Sequence, residues 1–288
     1  MLNFKSKKIP LIFSIFSKIN IKLLITLICF VFLGISIYGN FEALASQQIT
    51  WNEVLWIFAG ILISFLSIII NAFAWKLLIN SLGCNSNKLN IIKIFLNTNI
   101  YKYLPGGIWH FVSRYNKLRL KFSTEKSVES ILLEPLLMLV AALIFVPFGS
   151  FDIFICTVCW SSTLVFLSGF REFIITKLKL IKANIFTNNN IVKVKELPQN
   201  NDLINTKIFY PYKPLIVEII FILFRYLGFL CCIKAFTIGS PISQGELISS
   251  FSLAWMIGLV VPAAPGGIGV FESVILFCLG SQFPEGNL

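Results

Sequence analysis

The sequence predicts an all-α polytopic membrane protein with about 6–7 transmembrane helices, two of whose apolar segments are broken by Pro-Gly-Gly into re-entrant arms. Three observations carry this prediction. Of 288 residues, 57% are apolar or aromatic and only 13% charged, where soluble chains carry roughly 25% charged residues. The mean hydropathy is correspondingly +0.84. Finally, "PGGIWHFVS" (105–113) and "PGGIGVFES" (265–273) agree at six of nine positions, and each follows a mostly apolar run. The chain reads as a single integral membrane domain over 1–288, whose longest polar stretch is 171–213.

The first apolar run is 21–38, with Lys5, Lys7, Lys8, Lys18 and Lys22 before or at its start. "ALA" at 43–45 resembles a signal-peptidase site. A secretory apolar region is only about 7–15 residues long, so the run reads as a retained helix. Its lysines put the N-terminus in the cytoplasm. The segment 39–54 holds Glu42 and Glu53 without Lys or Arg and belongs outside. A second span, about 55–79, returns to a basic stretch, 88–126.

Within that stretch, 90–120 is too polar for a clean span and too apolar for a solvated loop. It is predicted to be the first re-entrant segment. Spans three and four are expected near 129–148 and 151–170. A cytoplasmic loop, 171–213, carries eight Lys or Arg and three acids. Span five is expected near 214–236. The last region, 247–262 and 270–280, is broken by Pro262, Pro265, Gly266, Gly267 and Gly269.

Proline removes a backbone donor and glycine weakens a helix. Unsatisfied backbone in hydrocarbon costs several kcal/mol per group. Irregular backbone at that depth must therefore be buried in protein or line a wet cavity. Exposed helix N-termini at such a break attract anions. Three spans separate the two motifs, so charge bias puts them on opposite faces, as in an inverted repeat. Two alternatives stay open: the echo of the motifs is chance, or the second break is a kink in a full span.

Ionisable groups inside spans are functional candidates by default. Here they are Glu134 in span three, Glu218 and Arg225 in span five, His110 and Arg114 after the first break, and Glu272 after the second. Glu218 and Arg225, seven apart, share a helix face, and each is expected to meet a group on another helix. Arg225 is a candidate for a lipid phosphate or for pairing with Glu134; a buried ion pair that fixes helix register is the alternative. Glu218 and Lys234 are expected near the interfaces, where snorkelling accounts for them. The predicted substrate-binding set is Pro105, Gly106, Gly107, Trp109, His110, Arg114, Glu134, Arg225, Pro265, Gly266, Gly267 and Glu272.

No cofactor, metal site or catalytic residue is expected. His110 is the only histidine, and Cys156 and Cys159, though a C-x-x-C, stand in an apolar run as packing residues. There is no D-x-D, no G-x-S-x-G and no Walker-type loop. The net charge of +11 belongs to cytoplasmic loops beside anionic lipid. No dense basic patch with interleaved aromatics points to nucleic acid.

"YKYLPGGIWHFVSR" (101–114), "LLEPLLML" (132–139) and "VPAAPGGIGVFES" (261–273) resemble the transmembrane region of lysylphosphatidylglycerol synthases. The resemblance implies a stand-alone, flippase-like protein that binds or translocates a phospholipid or another amphipathic lipid. The expected partners are membrane lipids with anionic or zwitterionic head groups. The soluble aminoacyl-transferase domain of full-length synthases has no counterpart in these residues. The resemblance also leads us to expect a further span beyond the end of this chain. Many members carry Arg directly after the acid of the third span and Asp a turn later. Pro135 and Met138 stand at those positions here. Two other readings are a membrane enzyme on a lipid or polyprenyl-phosphate substrate, with His110 or Glu272 as acid or base, and a non-catalytic partner of a separately encoded transferase.

Overall fold

The computed structural model describes residues 31, 38, 50–103, 108–149, 153–166, 210–236, 242–261 and 267–280. Nearly all of the first expected span (21–38), most of the 171–213 loop, and the motif residues Pro105, Gly106, Gly107, Pro262, Pro265 and Gly266 lie outside the described residues. Among those described, regular structure is entirely helical.

Helix α1 (Trp51–Ser81) starts before the apolar run that predicts it. Its start is fixed by the Thr50 N–H, which donates to Glu53 Oε2 at 2.8 Å. At 1.5 Å per residue, α1 is about 46 Å long, well over the roughly 30 Å of a hydrocarbon core. Next come α2 (Ile91–Asn99), a 3₁₀ turn (Ile100–Tyr103) and α3 (Trp109–Leu118). Helices α2 and α3 pack against each other and flank the first Pro-Gly-Gly. Neither, at about 15 Å or less, can cross a bilayer alone.

Helix α4 (Thr124–Leu143) is N-capped by the Ser123 hydroxyl and carries Pro135 in its interior. A 3₁₀ turn, Val146–Gly149, ends it. The fourth expected span is, in its described part, a nine-residue helix α5 (Ile153–Ser161) that tightens into a 3₁₀ turn (Ser162–Phe166). Hydroxyls explain the tightening. Ser161, Ser162 and Thr163 each donate back to the carbonyl three residues earlier, at 2.8, 2.6 and 2.8 Å. Such local bonds compete with the α-helical ladder.

Helix α6 (Tyr212–Ala235) matches its expected span closely. Helix α7 (Gln244–Val260) begins at a capping box: Glu246 N–H donates to Ser243 Oγ and Ser243 N–H to Glu246 Oε2, both at 3.2 Å. Helix α8 (Val270–Leu279) follows the second break and packs back on α7.

Among the described residues, three helical stretches are long and apolar enough to cross a membrane: Trp51–Ser81, Thr124–Gly149 and Tyr212–Ala235. Shorter apolar helices, Ile153–Phe166 and Val270–Leu279, accompany them. The most extensive contact joins α1 and α6. Small residues let their backbones approach: a Cβ on Gly228 would stand 2.5 Å from Ser64 Oγ and 3.4 Å from the Gly60 carbonyl oxygen. Helix α4 packs on α6 and α7, and its mates bury Leu133, Leu137 and Ala141. By contrast Leu55, Phe58, Ile61 and Phe65 on α1 are exposed, as befits a face turned to acyl chains.

Candidate functional site

Five charged side chains converge where α3, α4 and α6 meet the turn after α2. Arg114, on α3, is 1% exposed and Glu134, on α4, is 5% exposed. Arg114 Nη1 donates to Glu134 Oε2 at 2.6 Å, the salt bridge among the described residues. Arg114 Nε donates to Thr98 Oγ1 on α2 at 3.3 Å. The Thr98 hydroxyl in turn donates a hydrogen bond to the Ile94 carbonyl at 2.7 Å. The guanidinium also lies over Phe95, 4.0 Å from the ring centroid, and over Trp75 of α1 at 5.0 Å. One arginine thus ties four helices together, and it ties the arms on both sides of the first break.

Glu218 differs from its expectation at the interface: it is 1% exposed. Its position on α6 faces α4, so snorkelling is closed to it. Glu134 and Arg114 are the charges that act on it. Its Oε2 is buried with no hydrogen-bond partner among the described residues. Lys234 does behave as expected; it is exposed, with Nζ 4.8 Å from the Trp56 ring centroid.

Arg225 does not meet Glu134, one of the two partners the sequence offered it. Glu134 is engaged by Arg114. Two turns of α6, about 10 Å, separate Arg225 from Glu218. Arg225 instead lies over the rings of Phe221 and Trp255, at 5.8 and 5.1 Å. Its Nε and the Trp255 Nε1 are both buried without a hydrogen-bond partner among the described residues. Tyr103, the last described residue before the first break, acts on it electrostatically. Lys102, beside Tyr103, lies within reach of Arg225 and Arg114 and, less strongly, of Glu134.

The second break adjoins the same place through aromatic packing. Trp255 stacks on Phe251 at 6.4 Å, and Phe271, just past the break, meets Phe251 at 5.5 Å and Phe229 at 6.1 Å. Gly267 presses on Gly258 of α7 with φ +82°; a Cβ there would lie 3.2 Å from the Gly258 carbonyl oxygen. Only glycine takes that φ at no steric cost. Glu272 is held locally: its Oε2 accepts from the Gly269 N–H at 2.7 Å, capping α8. Trp109 is exposed and His110 half-buried at the start of α3, the His110 ring 3.8 Å from Phe111.

Of the predicted set, then, the fold brings Arg114, Glu134 and Arg225 into one electrostatic neighbourhood, with Gly267 bordering it through α7. Sequence reasoning missed Lys102, Tyr103, Thr98 and Trp255. Lys102 is one of many lysines in a stretch that charge bias makes cytoplasmic, although its place three residues before Pro105 is a usable signal. Trp255 has the small residue Ser252 one turn earlier on the helix as a hint.

An all-helical bundle with three apolar stretches of membrane-spanning length and an ion pair buried inside it is a multi-pass membrane protein. The chain belongs to the family described as the lysylphosphatidylglycerol synthase TM region, whose sequence model matches residues 19–287. No curated protein and no solved structure matches the chain. Membership ties the protein to lipid metabolism or translocation.

Proposed function

We propose that the protein binds and translocates an amphipathic lipid, and that the two Pro-Gly-Gly breaks and the charged cluster between them form its substrate site. The observation that carries this reading is the cluster itself. Three cations and two carboxylates sit within a bundle whose outer faces are apolar, and charges held there are costly unless a ligand or a pathway uses them. The short arms α2 and α3 support a re-entrant first segment. The arms of the second are unequal, α7 being 17 residues and α8 ten. In this reading the N-terminus is cytoplasmic, the membrane is the bacterial inner membrane, and the breaks enter from opposite faces.

The test is translocation of labelled lipids in vesicles holding the purified chain. Movement above protein-free vesicles is the expected result; none, in either direction and with several head groups, overturns the reading. Single-cysteine labelling at 103–112 and 262–272 tests the topology separately. Access to the first set only from the cytoplasm and to the second only from outside is expected. Labelling of both from one face removes the inverted repeat.

A further inference from the structure

We infer that the Arg225 end of the cluster is a phosphate site for a lipid whose head group is net anionic and carries no compensating amine. This rests on the lipid-handling reading above and specifies its substrate class. The nitrogen-bearing groups at this end are Arg225, Trp255 and Lys102, all hydrogen-bond donors with no acceptor capacity, while the hydroxyls of Tyr103 and Ser252 can also donate. Arg225 Nε–H and Trp255 Nε1–H are buried and unanswered among the described residues. They belong to side chains already in contact, 5.1 Å apart from guanidinium to ring. Ser252, one turn before Trp255, has a third unpartnered buried polar atom, its hydroxyl oxygen. Buried donors left without acceptors are costly, so the site calls for a group made of acceptors.

The charge balance then selects among acceptors. Arg114 and Glu134 neutralise each other in a 2.6 Å ion pair. The charges that act on Glu218 are those of that pair, not Arg225. The charge acting most strongly on Lys102 is Arg225 itself. What remains at this end is two like charges, neither of them ion-paired among the described residues, with Glu134 acting on Lys102 less strongly than Arg225 does. A phosphate oxygen answers both cations and both ring-side donors, and charge-assisted bonds of this kind are the strong ones. A head group with an ammonium would set a third cation beside two others.

The experiment uses the full chain, purified in mild detergent, and counts retained lipid by native mass spectrometry. Phosphatidic acid and phosphatidylcholine are the probes. Wild-type protein is expected to retain phosphatidic acid with a preference of about tenfold, the scale of one charged hydrogen bond. R225Q should abolish the preference, R225K should keep part of it, and W255F, which leaves every charge in place, should weaken it. Equal retention of the two lipids by wild type overturns the inference. So does an unchanged preference in W255F together with R225K, variants chosen in case R225Q does not fold. Millimolar inorganic phosphate separates the sources. Failure to displace phosphatidic acid supports the lipid assignment; phosphate binding with no lipid preference overturns it in favour of a soluble phosphate. Translocation that shows no head-group preference in wild type and R225Q sinks this site and leaves the lipid-handling reading intact. Selective retention without translocation does the reverse.

Discussion

Arg114 and Arg225 both lie over paired aromatic rings within the bundle, yet they are finished differently. Arg114 has a carboxylate, a threonine hydroxyl and two rings, drawn from α1, α2 and α4. Arg225 has two rings and an Nε with no acceptor among the described residues. The difference separates two uses of the same side chain. A guanidinium whose donors are met by fixed protein groups is a fastener. One whose donors are left open in a low-dielectric interior is held ready for something that arrives. Their surroundings agree: Arg114 joins four helices, whereas Arg225 sits between the residue adjoining one break and the helix leading into the other.

The comparison breaks most sharply on stability. R114M strands Glu134 without its partner, and losing one member of a buried pair costs about 3–5 kcal/mol. R114M should therefore lower the thermal midpoint strongly, measured as folded protein surviving heating before size-exclusion chromatography. The double variant R114M/E134M removes both charges and should recover most of the loss, because paired apolar replacement is often neutral. A double variant as unstable as the single one would mean that Arg114 does more than balance Glu134.

A middle-sized effect serves as the control for α6. In G228V the new side chain would meet Ser64 Oγ, which already stands 2.5 Å from a Cβ at that position. Overpacking of this kind costs about 1–3 kcal/mol. The thermal midpoint should fall while the preference for an anionic head group persists, since Arg225 and its rings are untouched. Loss of the preference in G228V would make the preference a property of the α1–α6 contact rather than of the open arginine.

R225M should then cost only about 1 kcal/mol, the ring contacts of one cation, and yet remove the head-group preference. A stability loss equal to that of R114M would erase the distinction between fastener and site.

The sequence carried the bundle and its charged positions but not their partners. Apolar length located α1, α4 and α6, and proline and glycine located both breaks, because each is a local property of the chain. The pairing of Arg114 with Glu134 joins residues twenty apart through a turn of helices, and no spacing rule reports that. The described part of the fourth expected span passes from α to 3₁₀ geometry where serine and threonine hydroxyls bond the backbone locally, which hydropathy does not register. Glu218 was read as interfacial from its place near the start of α6. Only the approach of α4 on that side shows it to be buried. Lys102 was hidden by a rule that counts lysines in a loop without asking which one turns inward.

The smallest effect concerns the glutamate after the second break, which the sequence sets beside Arg114 as a mirror-image substrate residue. The fold gives its carboxylate a local duty, accepting the Gly269 N–H at 2.7 Å. Gly269 has φ +84°, so the turn into α8 relies on that acceptor. E272A should cost about 0.5–2 kcal/mol, the range of a lost helix cap. E272Q keeps an oxygen in place and should cost less, with the two compared by thermal midpoint. Hydrogen exchange at 269–273 should quicken in E272A more than in E272Q. If E272Q instead keeps the midpoint but lowers lipid translocation, the negative charge matters beyond the cap. Glu272 would then join Arg225 as a group that waits for the substrate, and the two breaks would be chemically as well as geometrically paired.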